Sequence, residues 1–137
     1  MRNLVFLFVI MLLSACNGRN INSMKYERIQ YKDLPEEIIH CINNPNDFIV
    51  ERNSMLIELP KGKPFDYKVE SVRTWLGPWV SHVKLINIKR KVAYKIDRGV
   101  PYPFIIFESK LYIPSKFNMF TNLEDSISIE FTRYNLN

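Results

Sequence analysis

The sequence is poor in residues that several protein classes require. It has two cysteines and four glycines among 137 residues. Two cysteines are too few for a disulfide-stabilised scaffold, and four glycines are too few for a collagen repeat or a dinucleotide-binding loop. Charged residues make up 24% of the chain and hydrophobic residues 47%, so the bias of a disordered chain is also missing. We expect one folded domain.

The usual motifs of catalytic and metal sites are also absent. No Gly-x-Ser-x-Gly, HExxH or CxxC pattern occurs, and two histidines, His40 and His82, cannot form a metal site by themselves. The segment Lys61-Gly62-Lys63-Pro64 lacks the spacing of a phosphate-binding loop. Cys41 has no facing base on its predicted helix and is expected to be buried. We therefore predict no catalytic residue, no metal ligand and no cofactor, and an enzyme is not favoured.

A short apolar run stands near the start of the sequence. Residues 4–13 are ten consecutive apolar residues, which follow Met1-Arg2-Asn3 and precede Ser14-Ala15-Cys16. A basic start, an apolar run of this length and small residues before a cleavage point are typical of an export signal. A membrane-spanning helix needs about 20 apolar residues, so this run predicts a signal segment and not a permanent anchor.

The end of this run, Leu13-Ser14-Ala15-Cys16, resembles the lipobox of bacterial lipoproteins. The resemblance covers residues 1–16 only. It implies cleavage between Ala15 and Cys16, a diacylglyceryl group on the Cys16 thiol and an acyl chain such as palmitate on the new amine. Two or three acyl chains hold a protein firmly on a membrane. Asn17, in place of an acidic residue, resembles the pattern of Gram-negative lipoproteins that are sent to the outer membrane.

These features divide the chain into three predicted parts. Residues 1–15 are the signal peptide, residues 16–23 are the lipidated cysteine and a polar tether, and residues 24–137 are a single globular domain. The segment from Asn17 to Ser23 has no hydrophobic period. Seven extended residues reach at most about 23 Å, so we expect the domain to lie close to the lipid surface.

One helix is predicted, at residues 33–43. Asp33 is in position to cap it, and Glu36 follows three residues later as in a capping box. The apolar residues of this segment fall on one helical face. They are Leu34, Ile38, Cys41 and Ile42.

Short strands are predicted from residue 47 onward. They are Asp47–Glu51, Met55–Leu59, Tyr67–Trp75, Val80–Ile88, Lys91–Ile96, Phe104–Glu108, Leu111–Ile113 and Ser126–Tyr134. Alternation of apolar and polar residues, as at Val92-Tyr94-Ile96, indicates one buried face, and short connections favour antiparallel pairing. We therefore predict an α+β domain in which one N-terminal helix packs on an antiparallel sheet of short strands. An all-β barrel or sandwich is the alternative.

Two features are candidate binding surfaces. Trp75 and Trp79 flank a Gly-Pro turn, where two indoles either form a platform for a partner or for sugar rings, or pack back on the sheet. Lys89, Arg90 and Lys91 lie in residues 84–98, which hold six basic residues and one acidic residue. This basic segment is a solvated turn, a contact for anionic lipid or a contact for an acidic protein. The export signal disfavours nucleic acid as a partner.

Together these features favour a membrane-anchored, non-catalytic lipoprotein of the cell envelope. Its expected partners are membrane lipid, through Cys16, and another envelope protein that it binds or helps assemble, as in inhibitor or immunity-type roles. One alternative is a hydrolase of envelope polysaccharide, which would need a pair of carboxyl groups beside the tryptophans. Another is a small carrier of an apolar ligand, which would need an enclosed apolar cavity.

Overall fold

The computed structural model describes residues 18–44, 55–60, 62–73, 75, 77, 79–116 and 130–137. Within these ranges nine strands form two sheets. The strands are β1 (Gly18–Asn20), β2 (Tyr26–Gln30), β3 (Leu56–Glu58), β4 (Tyr67–Arg73), β5 (Val80–Asn87), β6 (Val92–Asp97), β7 (Phe104–Phe107), β8 (Lys110–Pro114) and β9 (Glu130–Asn135). Helix α1 covers Glu36–Asn43, and short 3₁₀ helices cover Ile21–Ser23 and Tyr31–Asp33.

Most of the predicted strands are confirmed, with ends that differ by one or two residues. The predicted strand Asp47–Glu51 lies outside the described residues, and so do residues 126–129 of the predicted strand Ser126–Tyr134. Strands β1 and β2 were not predicted, because neither has a clear apolar alternation.

Both sheets are mixed, so the prediction of an antiparallel sheet is wrong. The four-stranded sheet has the order β1-β6-β5-β4 and the five-stranded sheet has the order β2-β9-β8-β7-β3. The pairs β1–β6 and β3–β7 are parallel, and the other pairs are antiparallel. Two parallel strands that follow each other in sequence need a crossover connection, which is usually a helix. Here the parallel partners are far apart in sequence, and other strands make the connection between them. The fold is mixed α+β and mostly sheet, and its described strands form no closed barrel.

One hydrophobic cluster fills the space between the two sheets. It receives Tyr94 and Ile96, which are 2% and 0% exposed, so the predicted alternation along β6 is confirmed. The five-stranded sheet contributes residues from the facing side of its strands. The cluster contains Ile21, Leu56, Tyr67, Val83, Leu85, Tyr94, Ile96, Phe104, Ile106, Leu111, Ile113 and Leu136.

A second hydrophobic cluster contains buried residues of α1 and of the five-stranded sheet. Because successive strand residues point to opposite faces, Ile105 lies in this cluster while its neighbours Phe104 and Ile106 lie in the first. The predicted apolar face of the helix is confirmed as buried. The cluster contains Ile29, Leu34, Ile38, Cys41, Ile42, Ile57, Leu59, Ile105, Tyr112 and Phe131.

The helix begins later than predicted. Pro35 occupies the N-cap position without a side-chain capping hydrogen bond, and Asp33 lies in the preceding 3₁₀ helix. The predicted capping box from Asp33 to Glu36 is therefore wrong. The first turn instead carries Glu36 and Glu37, whose negative charges interact favourably with the helix dipole.

The segment predicted as a tether already belongs to the folded domain from Gly18 onward. Gly18 to Asn20 pair with residues 93–95 of β6. Ile21 is 1% exposed, and the Asn22 side chain donates a 2.6 Å hydrogen bond to the Asp97 carboxylate. Burial of this isoleucine stabilises the segment by about 1.5–3 kcal/mol, which explains why a polar stretch without a hydrophobic period is ordered.

A buried hydrogen bond joins the two sheets. The Tyr94 hydroxyl, on β6, donates to the backbone carbonyl of Leu136 at 2.7 Å, just beyond β9. The Leu136 amide in turn donates to the carbonyl of Ser109 at 2.9 Å. Leu136 is 1% exposed, so its carbonyl depends on this phenol for a partner.

Replacing this hydroxyl should destabilise the protein. In Tyr94→Phe the buried Leu136 carbonyl loses its donor, and we expect the free energy of unfolding to fall by about 1–3 kcal/mol. Urea denaturation followed by circular dichroism measures this change. The matched control is Tyr26→Phe, at a ring that is 56% exposed. The control should stay within about 0.5 kcal/mol of the parent, and equal stability of the two variants would contradict the assignment.

Candidate functional site

The chain's two tryptophans lie at the β4–β5 connection, which we call the tryptophan tip (Trp75 and Trp79). Trp75 is 91% exposed and Trp79 is 63% exposed. The Trp79 ring lies directly against Gly77, because a β-carbon added there would stand 2.8 Å from a ring atom. Two exposed indoles on a hairpin are apolar surface of the kind found at partner hot spots. Neither indole is buried against the sheet.

Lys89, Arg90 and Lys91 form the β5–β6 connection, and all three are exposed. Asn87, which is 8% exposed, holds this turn from inside. Its side-chain oxygen accepts from the Arg90 amide at 2.9 Å, and its carbonyl accepts from the Lys91 amide at 2.9 Å. Lys91 has a left-handed backbone with φ 55°. The turn is therefore fixed by its backbone while its three cations point into solvent.

The structure does not bring the two candidate surfaces together. Strand β5 runs from one to the other, because Val80 follows the tryptophan tip and Asn87 precedes the basic turn. An eight-residue strand is about 25 Å long, so the surfaces lie at opposite ends of the four-stranded sheet.

The chain enters the described domain at the basic turn. Gly18 pairs with Ala93, next to the start of β6, and the parallel register then carries β1 away from that turn. We call this end of the sheet, with Gly18 and residues 88–91, the basic end. The loop that leads into β4 also lies here, because the Ile88 amide donates to the Asp66 carbonyl at 2.8 Å.

A groove of about 420 Å³ also lies beside this loop. Its wall includes Glu58, which is 7% exposed and accepts hydrogen bonds from the backbone amides of Asp66 and Tyr67, each at 2.9 Å. Two N–H donors satisfy this carboxylate, so its evident role is to order the loop into β4. The groove adjoins the basic end, so its carboxylates do not stand beside the tryptophans.

A second depression, of about 360 Å³, lies along β2 and β9 and includes Lys25, Lys110 and Arg133 in its wall. Arg133 pairs with Glu27, and its guanidinium carbon lies 5.9 Å from the centre of the Tyr112 ring. A hydrogen bond with Tyr112 raises the pKa of Arg133, with Glu27 acting in the same direction. This arginine is therefore committed to contacts within the sheet.

The two histidines do not build a recognisable catalytic centre. His82 Nδ1 lies 2.9 Å from the Ser81 hydroxyl, which also lies 3.1 Å from the Val72 carbonyl. Burial, followed by the charges of Lys95 and Lys84, lowers the pKa of His82. His40 contacts Asn44 on the helix end. Across the described ranges, no three His, Cys, Asp or Glu side chains form a metal-binding group.

Cys41 is the one cysteine among the described residues, and Cys16 lies outside them. Cys41 is a free thiol, fully buried on α1. Burial raises the pKa of Cys41 from 9.0 to about 12, so its thiol is protonated and poorly nucleophilic near neutral pH.

No helix in the described part of the chain is long and apolar enough to cross a membrane.

Comparison of the chain with protein-family models, with curated proteins and with solved structures finds no match. Its function is therefore inferred from its own residues. The features that carry an inference are the tryptophan tip, the basic end and the predicted export signal.

The Cys41 thiol should be unreactive in the folded protein. We expect a chromogenic disulfide reagent at mildly alkaline pH to leave it unmodified until a denaturant is added. The Cys41→Ala variant gives the background colour change of the reagent in the absence of this thiol. Because the folded pKa of about 12 exceeds the unfolded value of 9.0, the stability due to this group is constant below pH 9. It falls as the pH rises from 9 towards 12. Rapid labelling of the native protein would contradict the burial.

Proposed function

We propose that this protein is a lipid-anchored envelope protein, held in the outer membrane through Cys16, that binds or helps assemble another envelope protein without catalysing a reaction. Inhibitor and immunity-type roles belong to the same proposal. The observation that supports it is the tryptophan tip, which exposes two indoles at the end of the sheet opposite the chain's entry. Exposed aromatic side chains of this kind are typical anchors of protein interfaces.

The position of the anchor relative to the tip supports this proposal. Cys16 precedes Gly18 by two residues, so their α-carbons are at most about 7 Å apart. An anchor at Cys16 would therefore keep the basic end near the lipid and leave the tryptophan tip about 25 Å further out. Anchoring in two dimensions raises the local concentration of a partner on the same membrane, so a small contact surface suffices.

One apolar face of the five-stranded sheet is less suited to a partner. The shared cluster of Ile38, Cys41, Ile105 and Tyr112 supports the predicted packing of α1 on the five-stranded sheet. That packing would leave this face of the sheet covered. The tip therefore remains the surface that best fits a protein partner.

The alternative functions have weaker support. A polysaccharide hydrolase would need paired carboxylates beside the tryptophans, but the groove that contains Glu58 and Asp66 adjoins the basic end. A carrier would need an enclosed apolar cavity, whereas this groove and the Arg133 depression are open and have charged walls.

The anchor itself can be tested by mass spectrometry of protein purified from membranes. We expect the mature chain to begin at Cys16 and to carry diacylglyceryl and acyl groups. Thiol titration of the denatured protein should then find one reactive thiol, that of Cys41, since the Cys16 sulfur is bonded to lipid. Cys16→Ser should lose both the lipid and the cleavage. A parent protein with residues 1–15 attached, or with two free thiols, would contradict the anchor.

The tryptophan tip can be tested by chemical crosslinking in membranes. We expect Trp75→Ala/Trp79→Ala to lose a specific crosslinked protein that the parent retains, and to lower affinity for it by at least about 30-fold, since hot-spot aromatics contribute 2 kcal/mol or more. The matched control is Tyr26→Ala, which removes an aromatic ring that is 56% exposed on β2, in the other sheet. Identical crosslinks for the parent and the tip variant would contradict this role.

A further inference from the structure

The basic end carries exposed apolar side chains. Phe65 is 59% exposed and Ile88 is 45% exposed. Their loops lie side by side, because the Ile88 amide donates to the carbonyl of Asp66, the residue after Phe65. Large apolar side chains that are grouped on a surface indicate a site that contacts a protein or a membrane.

Three cations adjoin these apolar groups. Lys89, Arg90 and Lys91 follow Ile88 directly, and none forms a salt bridge with a described carboxylate. The acidic side chain of the neighbouring loop is already paired, since Asp66 lies 3.5 Å from the Lys63 ammonium group. The combination of exposed apolar side chains and exposed cations is typical of surfaces that contact anionic lipid headgroups.

The chain reaches this same end from the proposed anchor. Strand β1 is fixed there by its register with β6 and by the burial of Ile21. The Asn22–Asp97 hydrogen bond holds the other end of the segment. With only Asn17 between Gly18 and the lipidated position, the basic end is the part of the domain that an anchor would bring to the membrane.

We propose that the basic end docks on a lipid surface that contains anionic headgroups. Phe65 and Ile88 enter the headgroup region, while Lys89, Arg90 and Lys91 contact phosphates and keep their charged ends in water. The composition of the surface supports this contact independently, and the direction of approach rests on the proposed anchoring at Cys16. Docking gives the domain one orientation, in which the tryptophan tip points away from the membrane.

The orientation can be measured by tryptophan quenching in vesicles made with brominated phospholipids. Bromine on an acyl chain quenches an indole only at close contact. The lipidated parent protein has tryptophans at the tip alone, so it reports on that end. The variant Phe65→Trp/Trp75→Phe/Trp79→Phe moves the only indole to the basic end. We expect strong quenching of this reporter and little quenching of the parent.

The charge requirement is tested in the same reporter chain. Each cation near an anionic surface contributes about fivefold, so Lys89→Glu/Arg90→Glu should lower the ratio of docked to undocked protein by about 25-fold or more. The matched control, Lys32→Glu/Lys116→Glu, makes the same charge change at exposed positions beyond β2 and β8, at the other end of the sheets. It should leave quenching unchanged. Vesicles of phosphatidylcholine alone should quench less than vesicles that also contain phosphatidylglycerol.

Flotation of the vesicles separates this proposal from the anchor. Protein that floats but shows equal, weak quenching at both ends would overturn docking and leave the anchor intact. Stronger quenching of the tip than of the reporter would also overturn it, because the domain would then lie the other way. Equal losses of quenching in the two charge-reversal variants would overturn the assignment of the basic end as the docking surface. Protein that does not float would contradict both the anchor and the docking.

Discussion

The parallel pairing of β1 with β6 determines where the chain enters the domain, and the proposed orientation depends on it. Three of the described residues pair, from Gly18 to Asn20, and the buried Ile21 side chain holds their register. Had the same residues paired antiparallel, the anchor position would lie at the tryptophan tip. A short polar strand with one buried isoleucine thus decides which end of the sheet would face the lipid in the proposed orientation.

The four-stranded sheet then separates two surfaces with different chemistry. Backbone hydrogen bonds join its strands along their length. Strand β5 runs directly from the tryptophan tip to the basic turn. One end has exposed cations with apolar neighbours, and the other has two indoles. In the proposed function, a domain with this arrangement would contact lipid and protein at the same time, since the two surfaces do not overlap.

Local pattern predicted much of this fold and of the candidate site. Strands such as β5 and β6 were predicted because one face is apolar, and the tryptophans and the Lys-Arg-Lys turn are visible as sequence features. The parallel pairs were missed because they depend on residues far apart in the chain. Phe65 and Ile88 were missed as surface groups because apolar residues are expected inside, and only the meeting of their loops shows their exposure. The Glu58 carboxylate that orders one of these loops has no local signature either.

The order of the five-stranded sheet also bears on when the chain can fold. Strand β2 has β9 as its sheet neighbour, and the paired residues Glu27 and Arg133 are 106 positions apart. A nascent chain therefore cannot complete this sheet until β9 has been synthesised, and contacts of such long range form slowly. A polypeptide that must be threaded through a translocation channel before it folds gains time from this delay. The strand order thus favours late folding, which would suit export of the kind that the sequence predicts.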